Sequence, residues 1–205
     1  MKLYFMPGAC SLADLIVLDW IGAPHQPIRM SMDSIKSAEY LAINAGGTVP
    51  LLVDGDFSLT ENVAILGYLA DIYPQARLLG DGSPRGRAEV MRWLGFLNSD
   101  VHKAFKPLFS PSRFLNEREL DEELAQNARL HVRIYLERLE QQMAGRDWLA
   151  GERSVADPYL FVVLRWARAK LVDMEGLDNL DRFSERMQAD AGVRAALQSE
   201  EAAAA

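Results

Sequence analysis

Cysteine is nearly absent: Cys10 is the only one among 205 residues. One thiol can close no internal disulfide and build no cysteine-rich zinc site, which suits a reducing compartment. Positive charge is also scarce, with 22 Lys and Arg against 29 Asp and Glu, a net of −7. That sign disfavours a nucleic acid or an anionic membrane as partner. No long apolar run exists either, since the best candidate, 160–172, is interrupted by Arg165, Arg168 and Lys170 and falls short of a membrane span. Pro7 and Gly8 break the short N-terminal run in the same way, leaving too little for a secretory leader. Also missing are a Gly-x-Gly-x-x-Gly turn, a phosphate-loop lysine, a Gly-x-Ser-x-Gly elbow and any histidine pair at metal-ligand spacing. The expectation is a soluble, cytoplasmic protein with no metal or nucleotide cofactor, no nucleic-acid partner and no membrane.

What is present is ordinary globular composition, 49% hydrophobic and 25% charged, enough for one large domain or two small ones. Basic residues divide the chain: only Lys2, Arg29, Lys36 and Arg77 fall before residue 80. The turn-forming stretch from Tyr73 to Pro84 marks the change, so two domains are expected, over 1–78 and 85–205. In the first, a strand at 2–6 leads to a helix N-capped by Ser11 and ended by Gly22. A weaker strand at 26–30, a short helix at 37–43, a hairpin of 51–53 with 57–60 across an Asp-Gly turn, and a helix at 62–72 complete a βαβαββα order. The second domain reads as all helix: 85–109, 117–144, a centrally buried 158–172 opened by a Ser154-Val155-Ala156-Asp157 capping box, then 181–189 and 193–197. Alanines 202–205 read as a frayed end.

Three places in the first domain carry candidate chemistry. Cys10 lies between a strand and a helix N-terminus, where free N–H groups and the helix dipole lower a thiol's pKa and make a nucleophile. Taken alone it reads more simply as a buried, inert thiol, the commoner fate of a lone cysteine. Val49-Pro50 opens a strand after a glycine-bearing loop, and a cis bond there turns the Val49 backbone outward to pair with a peptide ligand. Thr60-Glu61-Asn62 meets a helix N-terminus, so the Asn62 amide suits a carboxylate and Glu61 an ammonium; Thr60 or Asn62 serving only as N-cap is the plainer alternative. A thiolate, a strand edge and an anion site together fit a small thiol tripeptide.

Cys10-Ser11, Thr48-Val49-Pro50, Thr60-Glu61-Asn62-Val63-Ala64-Ile65, Tyr68-Leu69-Ala70-Asp71, Asp100-Val101-His102-Lys103-Ala104-Phe105 and the Ser154 to Leu160 segment, in this order, resemble the beta-class glutathione S-transferases of bacteria across nearly the whole chain. The resemblance implies a thioredoxin-like domain that binds glutathione as co-substrate, an all-helical domain that supplies an electrophile pocket, and a homodimer acting in detoxification. Carried over by position, Cys10 contacts and is able to pair with the glutathione sulfur, with Ser11 and His102 assisting its thiolate. Val49 and Pro50 present the backbone to the cysteinyl unit, Glu61 and Asn62 grip the γ-glutamyl end, and Lys103 follows His102. Phe105, Phe109, Phe114 and Trp166 are the expected pocket lining. Three departures stand out: Asn44-Ala45-Gly46-Gly47 replaces the family's Asn-Pro-Lys-Gly, Gly95 stands where an Asn reaches the partner subunit, and the family's basic residue after the second strand has only Lys36 as its nearest counterpart. The leading reading is a transferase that conjugates glutathione to small hydrophobic electrophiles. The alternatives are a glutathione-dependent disulfide or peroxide reductase using Cys10, and a non-catalytic ligand-binding protein of the same fold.

Overall fold

The computed structural model describes residues 1–202. Four short strands, β1 (Lys2–Phe5), β2 (Gln26–Arg29), β3 (Leu51–Asp54) and β4 (Phe57–Thr60), form one sheet in the order β2-β1-β3-β4. β1 runs parallel to β2 and antiparallel to β3, and β3 is antiparallel to β4. The parallel pair needs a crossover, which α1 (Leu12–Ile21) supplies before ending at Gly22, whose left-handed φ of 64° costs a glycine little. α2 (Ala38–Ile43) is capped by Ser37, whose hydroxyl accepts the Tyr40 N–H at 3.2 Å. α3 (Asn62–Ile72) completes the βαβαββα order.

The hairpin differs from expectation by one residue. Asp54 pairs with Phe57, so the turn is Gly55-Asp56 with Gly55 at φ 62°. Glycine first in a two-residue turn is what a type II′ connection requires. Asp54 therefore stays in β3, where its carboxylate accepts the Tyr68 hydroxyl at 2.8 Å.

The rest is a helical domain. α4 (Pro84–Phe96) starts at Ser83, which caps the Gly86 N–H. The single helix expected to residue 109 is instead divided into a π-helical turn at Leu97–Val101, α5 (His102–Ala104) and α6 (Lys106–Phe109). Pro107 has no N–H to return to the preceding turn, so the helix bends there. α7 (Asp121–Gln142), α8 (Ala156–Ala169), α9 (Asp178–Ala189) and α10 (Ala191–Ala202) follow. The last two are longer than their apolar positions suggested, and alanines 203–205 of the expected frayed end lie outside the described residues.

α8 is the axis of the domain, with Tyr159 through Leu164 all buried. Its start is fixed by Asp157, whose carboxylate accepts the N–H groups of Leu149 at 2.8 Å and Ser154 at 2.7 Å, while the Ser154 hydroxyl accepts the Ala156 N–H. Half of the expected capping box forms, Asp157 reaching back to the Ser154 N–H; the Asp157 N–H bonds the Ser154 C=O and not its hydroxyl, and the helix begins at Ala156, two residues earlier than read. Burial pushes the Asp157 carboxyl up to about 7 against the pull of these donors. α1 joins the two halves, packing on α3, α8 and α10. Trp20 Nε1 donates to Asp190 at 2.8 Å, and a Cβ on Gly192 would come within 2.6 Å of the Trp20 ring, so α10 approaches α1 closely.

Replacing Asp157 with Ala strands two buried N–H groups at the head of the central helix. The expected loss is on the order of 3 kcal/mol, read as a lower urea midpoint. A loss below about 0.5 kcal/mol would mean that these donors find other partners.

Candidate active site

The segment between β1 and α1 is held from both halves of the molecule. Gly8 donates its N–H to the Glu200 carboxylate of α10 at 2.9 Å, and its C=O accepts Trp166 Nε1 of α8 at 2.7 Å. Glu200 is buried and in turn paired with Arg165 at 3.0 Å. Ser11 is fully buried and ties the same segment inward: its hydroxyl accepts the Met6 N–H at 3.2 Å and donates to the Met6 C=O at 3.4 Å. This corrects its expected roles, because an occupied hydroxyl neither caps α1 nor is aimed at a ligand thiolate.

Cys10 lies in the middle of this arrangement, partly exposed. The expected lowering of its pKa is reversed. Burial, followed by the charge of Asp14, pushes the thiol up to about 12, and the opposing pull of the Asn62 amide and the Cys10 N–H does not compensate. The physical reason is visible in the turn itself: the Leu12 and Ala13 N–H groups are already taken by the Ala9 and Cys10 carbonyls, so α1 offers few free donors. At neutral pH Cys10 is a thiol.

β3 takes up its ladder only at Leu51, leaving Val49 outside it, and the Val49-Pro50 bond is cis. The loop before it is built by side chains: Tyr40 Oη and Asn44 Nδ2 both donate to the Thr48 C=O, at 2.6 and 2.7 Å, and the Gly46 N–H returns to Asn44 Oδ1. Glu61 sits at the head of α3 with φ 70°, a conformation that side chains rarely adopt and that costs about 1–3 kcal/mol. No side chain caps α3. Neither Thr60 nor Asn62 takes the N-cap position. Asn62 is the first helical residue, and its Nδ2 donates to the Cys10 C=O at 3.0 Å while its buried Oδ1 has no partner among the described residues. Its amide is therefore spent on fixing the Cys10 segment to α3, which leaves the N–H groups of the first α3 turn as the anion-attracting feature.

The helical domain closes the other side. His102 stacks edge-on against Trp166, with centroids 4.7 Å apart, and its Nδ1 lies 2.6 Å from the Tyr159 hydroxyl. That hydroxyl donates to Asn98 Oδ1 at 3.0 Å in the π-helical turn. The Tyr159 hydroxyl thus links the His102 ring to the π-helical turn. Burial, then the Lys106 charge, lowers the His102 pKa to about 4, so the ring is neutral. Next to it, Gly8, Ala9, Phe109, Val162, Trp166 and Lys170 border a hollow of about 290 Å³. Phe109 meets Trp166 at 5.2 Å, with the Lys170 ammonium 5.2 Å from the Phe109 ring centroid.

Of the expected pocket residues, Phe109 and Trp166 line this hollow. Phe105 is fully buried behind them, stacked on Phe109 and against Trp166, so it supports the wall without facing the space. Phe114 is 48% exposed beyond α6 and is not part of the lining. Lys103 also departs from its predicted neighbour. It borders a separate hollow of about 350 Å³ with Asn127, His131 and Tyr135 of α7, because adjacent helical residues point roughly 100° apart. Tyr159, Asn98, Gly8 and Glu200 are the members that the sequence did not reveal. Tyr159 had a signal, a phenol in an otherwise apolar helix that must find a partner; Glu200, 192 residues from Gly8, had none.

A buried neutral histidine has a simple pH consequence. The folded pKa near 4 lies below the unfolded value of 6.5, so as pH falls through that window the unfolded chain takes the proton first and stability is lost. Relative to a His102→Gln variant, the protein should lose about 2 kcal/mol more between pH 7 and pH 4.5, measured by urea unfolding at each pH. Parallel losses in the two proteins would place His102 in water.

Known proteins of the same kind agree with this layout. Residues 10–77 match the family model for the glutathione S-transferase N-terminal domain, and 97–190 match that for the C-terminal domain. A glutathione S-transferase of Xanthomonas campestris pv. campestris, GST-4.5, is 49% identical over 98% of both chains. Among solved structures, a glutathione S-transferase from Xylella fastidiosa superposes with a TM-score of 0.94 at 46% identity, covering 98% of each chain. A sphingomonad glutathione S-transferase complexed with glutathione gives 0.86 at 36% identity over 98% of this chain and 99% of that one. A beta-class enzyme of Sphingomonas chungbukensis gives 0.86 at 38% identity, again over 98% of each. The chain belongs to the glutathione S-transferase family.

Proposed function

We propose that this protein conjugates the thiolate of glutathione to small hydrophobic electrophiles. Residues 1–78 hold the tripeptide: the Val49 backbone pairs with its cysteinyl unit, the α-carboxylate lies at the uncapped start of α3, and Glu61 takes the ammonium. Residues 85–205 hold the electrophile in the hollow walled by Phe109 and Trp166. The observation that supports this reading most is the position of Cys10, partly exposed on a segment that Glu200 and Trp166 anchor through Gly8, between these two parts. A thiol in that place donates its S–H to the sulfur of glutathione and stabilises it as the attacking anion. Rate enhancement then comes from thiolate stabilisation and from holding both reactants in one cleft. A reductase route requires Cys10 itself as thiolate, which its raised pKa opposes at neutral pH.

The reading includes a cytoplasmic homodimer. Leu130 and Ile134, one turn apart on α7, are 65% and 59% exposed, an apolar surface suited to a second copy. Sedimentation at micromolar concentration should give twice 22.9 kDa; a species at the monomer mass would remove the dimer from the account.

Substitutions at Cys10 test the conjugation mechanism directly. Cys10→Ser keeps a donor and should hold kcat/KM toward an aryl halide within a few-fold. Cys10→Ala removes one hydrogen bond to a charged sulfur and should lower it by roughly tenfold. Complete loss in both folded variants would instead make Cys10 the nucleophile.

A further inference from the structure

The hollow beside Trp166 has apolar walls, Phe109, Val162, Trp166 and Ala169, and two charged borders, Arg165 and Lys170. Both are cations, in a chain whose net charge is −7, and no acid is among the described residues that line the space. Most polar groups there are already engaged. Trp166 Nε1 donates to the Gly8 C=O, the Gly8 N–H is held by Glu200, and the Ala9 N–H bonds the Met6 C=O. Arg165 is neutralised by Glu200 at 3.0 Å. Lys170 makes no ion pair among the described residues. It is half-buried and well placed: its N–H bonds the Trp166 C=O at 2.8 Å, its C=O accepts Arg129 Nε at 3.0 Å, and its ammonium lies 5.2 Å from the Phe109 ring centroid. The carbonyls of Ala167 and Arg168 accept the Val172 and Leu171 N–H groups, so the end of α8 is largely satisfied. On its far side Lys170 borders a second hollow with Arg118, Glu119, Asp121, Glu122 and Arg129, of which Arg129 and Glu122 pair with each other.

We propose that the electrophiles this site prefers are aromatic compounds bearing a carboxylate, and that Lys170 is the residue that selects them. The inference rests on the reading that this hollow holds the electrophile of a glutathione transfer. An apolar ring fits the walls, and a carboxylate on it meets the one cation there that has no counter-charge. Discrimination works in both directions. A carboxylate in an apolar hollow is opposed by desolvation unless it is paired, and a wholly neutral compound covers the ammonium without replacing its water. The reaction itself leaves the carboxylate untouched. With an aryl chloride, the glutathione thiolate adds to the ring carbon that bears chlorine, the C–S bond forms, the C–Cl bond breaks and chloride departs with the electron pair. Lys170 therefore acts on binding and orientation, not on the reacting atoms.

The test compares two nitroaryl chlorides that differ only in a ring carboxylate against a ring carboxamide, each assayed for conjugation with glutathione at neutral pH. The quantity read is the ratio of their kcat/KM values, carboxylate over carboxamide, each divided by its uncatalysed rate. The unaltered protein should favour the carboxylate. Lys170→Met should lower the ratio by about fivefold, with the loss in KM for the carboxylate, because the pairing is the same before and during reaction. Lys170→Arg should retain the preference and Lys170→Glu should lower the ratio further; these two carry the comparison if the Met variant fails to fold. A ratio that is the same in the unaltered protein and in Lys170→Glu, with the carboxamide still turned over, overturns the role of Lys170 and leaves the transferase reading standing. Failure of the unaltered protein to turn over either compound overturns the conjugation reading, and this inference with it.

Discussion

The two hydrogen bonds made by Gly8 are the constraint on which the site depends. Its N–H is held by Glu200 and its C=O by Trp166, so the segment carrying Cys10 is fixed by the last helix and the central helix of the other domain. The anchors are themselves fixed. Glu200 is paired with Arg165, and Trp166 is walled in by His102, Phe105 and Phe109. α8 is in turn positioned at its start by Asp157. A cleft between two domains would ordinarily be free to flex. Here the backbone at its centre is shared by both.

Around that fixed segment, burial has the larger effect on acidity. A helix N-terminus lowers a thiol's pKa only where its N–H groups face the sulfur and water or a cation assists. At Cys10 the Leu12 and Ala13 N–H groups are already taken by the Ala9 and Cys10 carbonyls, and burial raises the thiol. His102 shows the same effect with opposite sign: burial favours the neutral ring. Burial thus favours the uncharged form of both Cys10 and His102. On the proposed reading, a thiolate brought in by glutathione meets an S–H donor and no competing anion on Cys10.

The sequence made the fold legible because each element carried its own local signal. Ser11 to Gly22, the hairpin glycine and the Ser154-Asp157 box depend on contacts a few residues apart, and they emerged close to where they were read. The hairpin slipped by one residue because Asp54 had an alternative, bonding Tyr68 from within the strand. The long helix after Pro84 was misread as continuous because side-chain periodicity persists through a π turn even where the backbone pattern changes. Residue roles in the site were less legible. Ser11 and Asn62 lie beside the Cys10 segment, yet their polar atoms serve the backbone of Met6 and Cys10. Contacts spanning the chain, such as Glu200 with Gly8, leave no trace in local spacing. Nor did composition or periodicity mark Asp14 as buried, since an acid early in a helix is ordinary on grounds of dipole alone.

The central claim is that the ionised sulfur in the working enzyme belongs to glutathione and that Cys10 remains a thiol. Thiolate absorbance near 240 nm follows it directly, titrated against pH for the glutathione complex, with the S-methyl glutathione complex as reference. The account predicts a thiolate band appearing with a midpoint below that of free glutathione, of equal amplitude in Cys10→Ser, and no band at neutral pH in the reference complex. A band that persists with S-methyl glutathione and vanishes in Cys10→Ser would assign the charge to Cys10 and contradict the account.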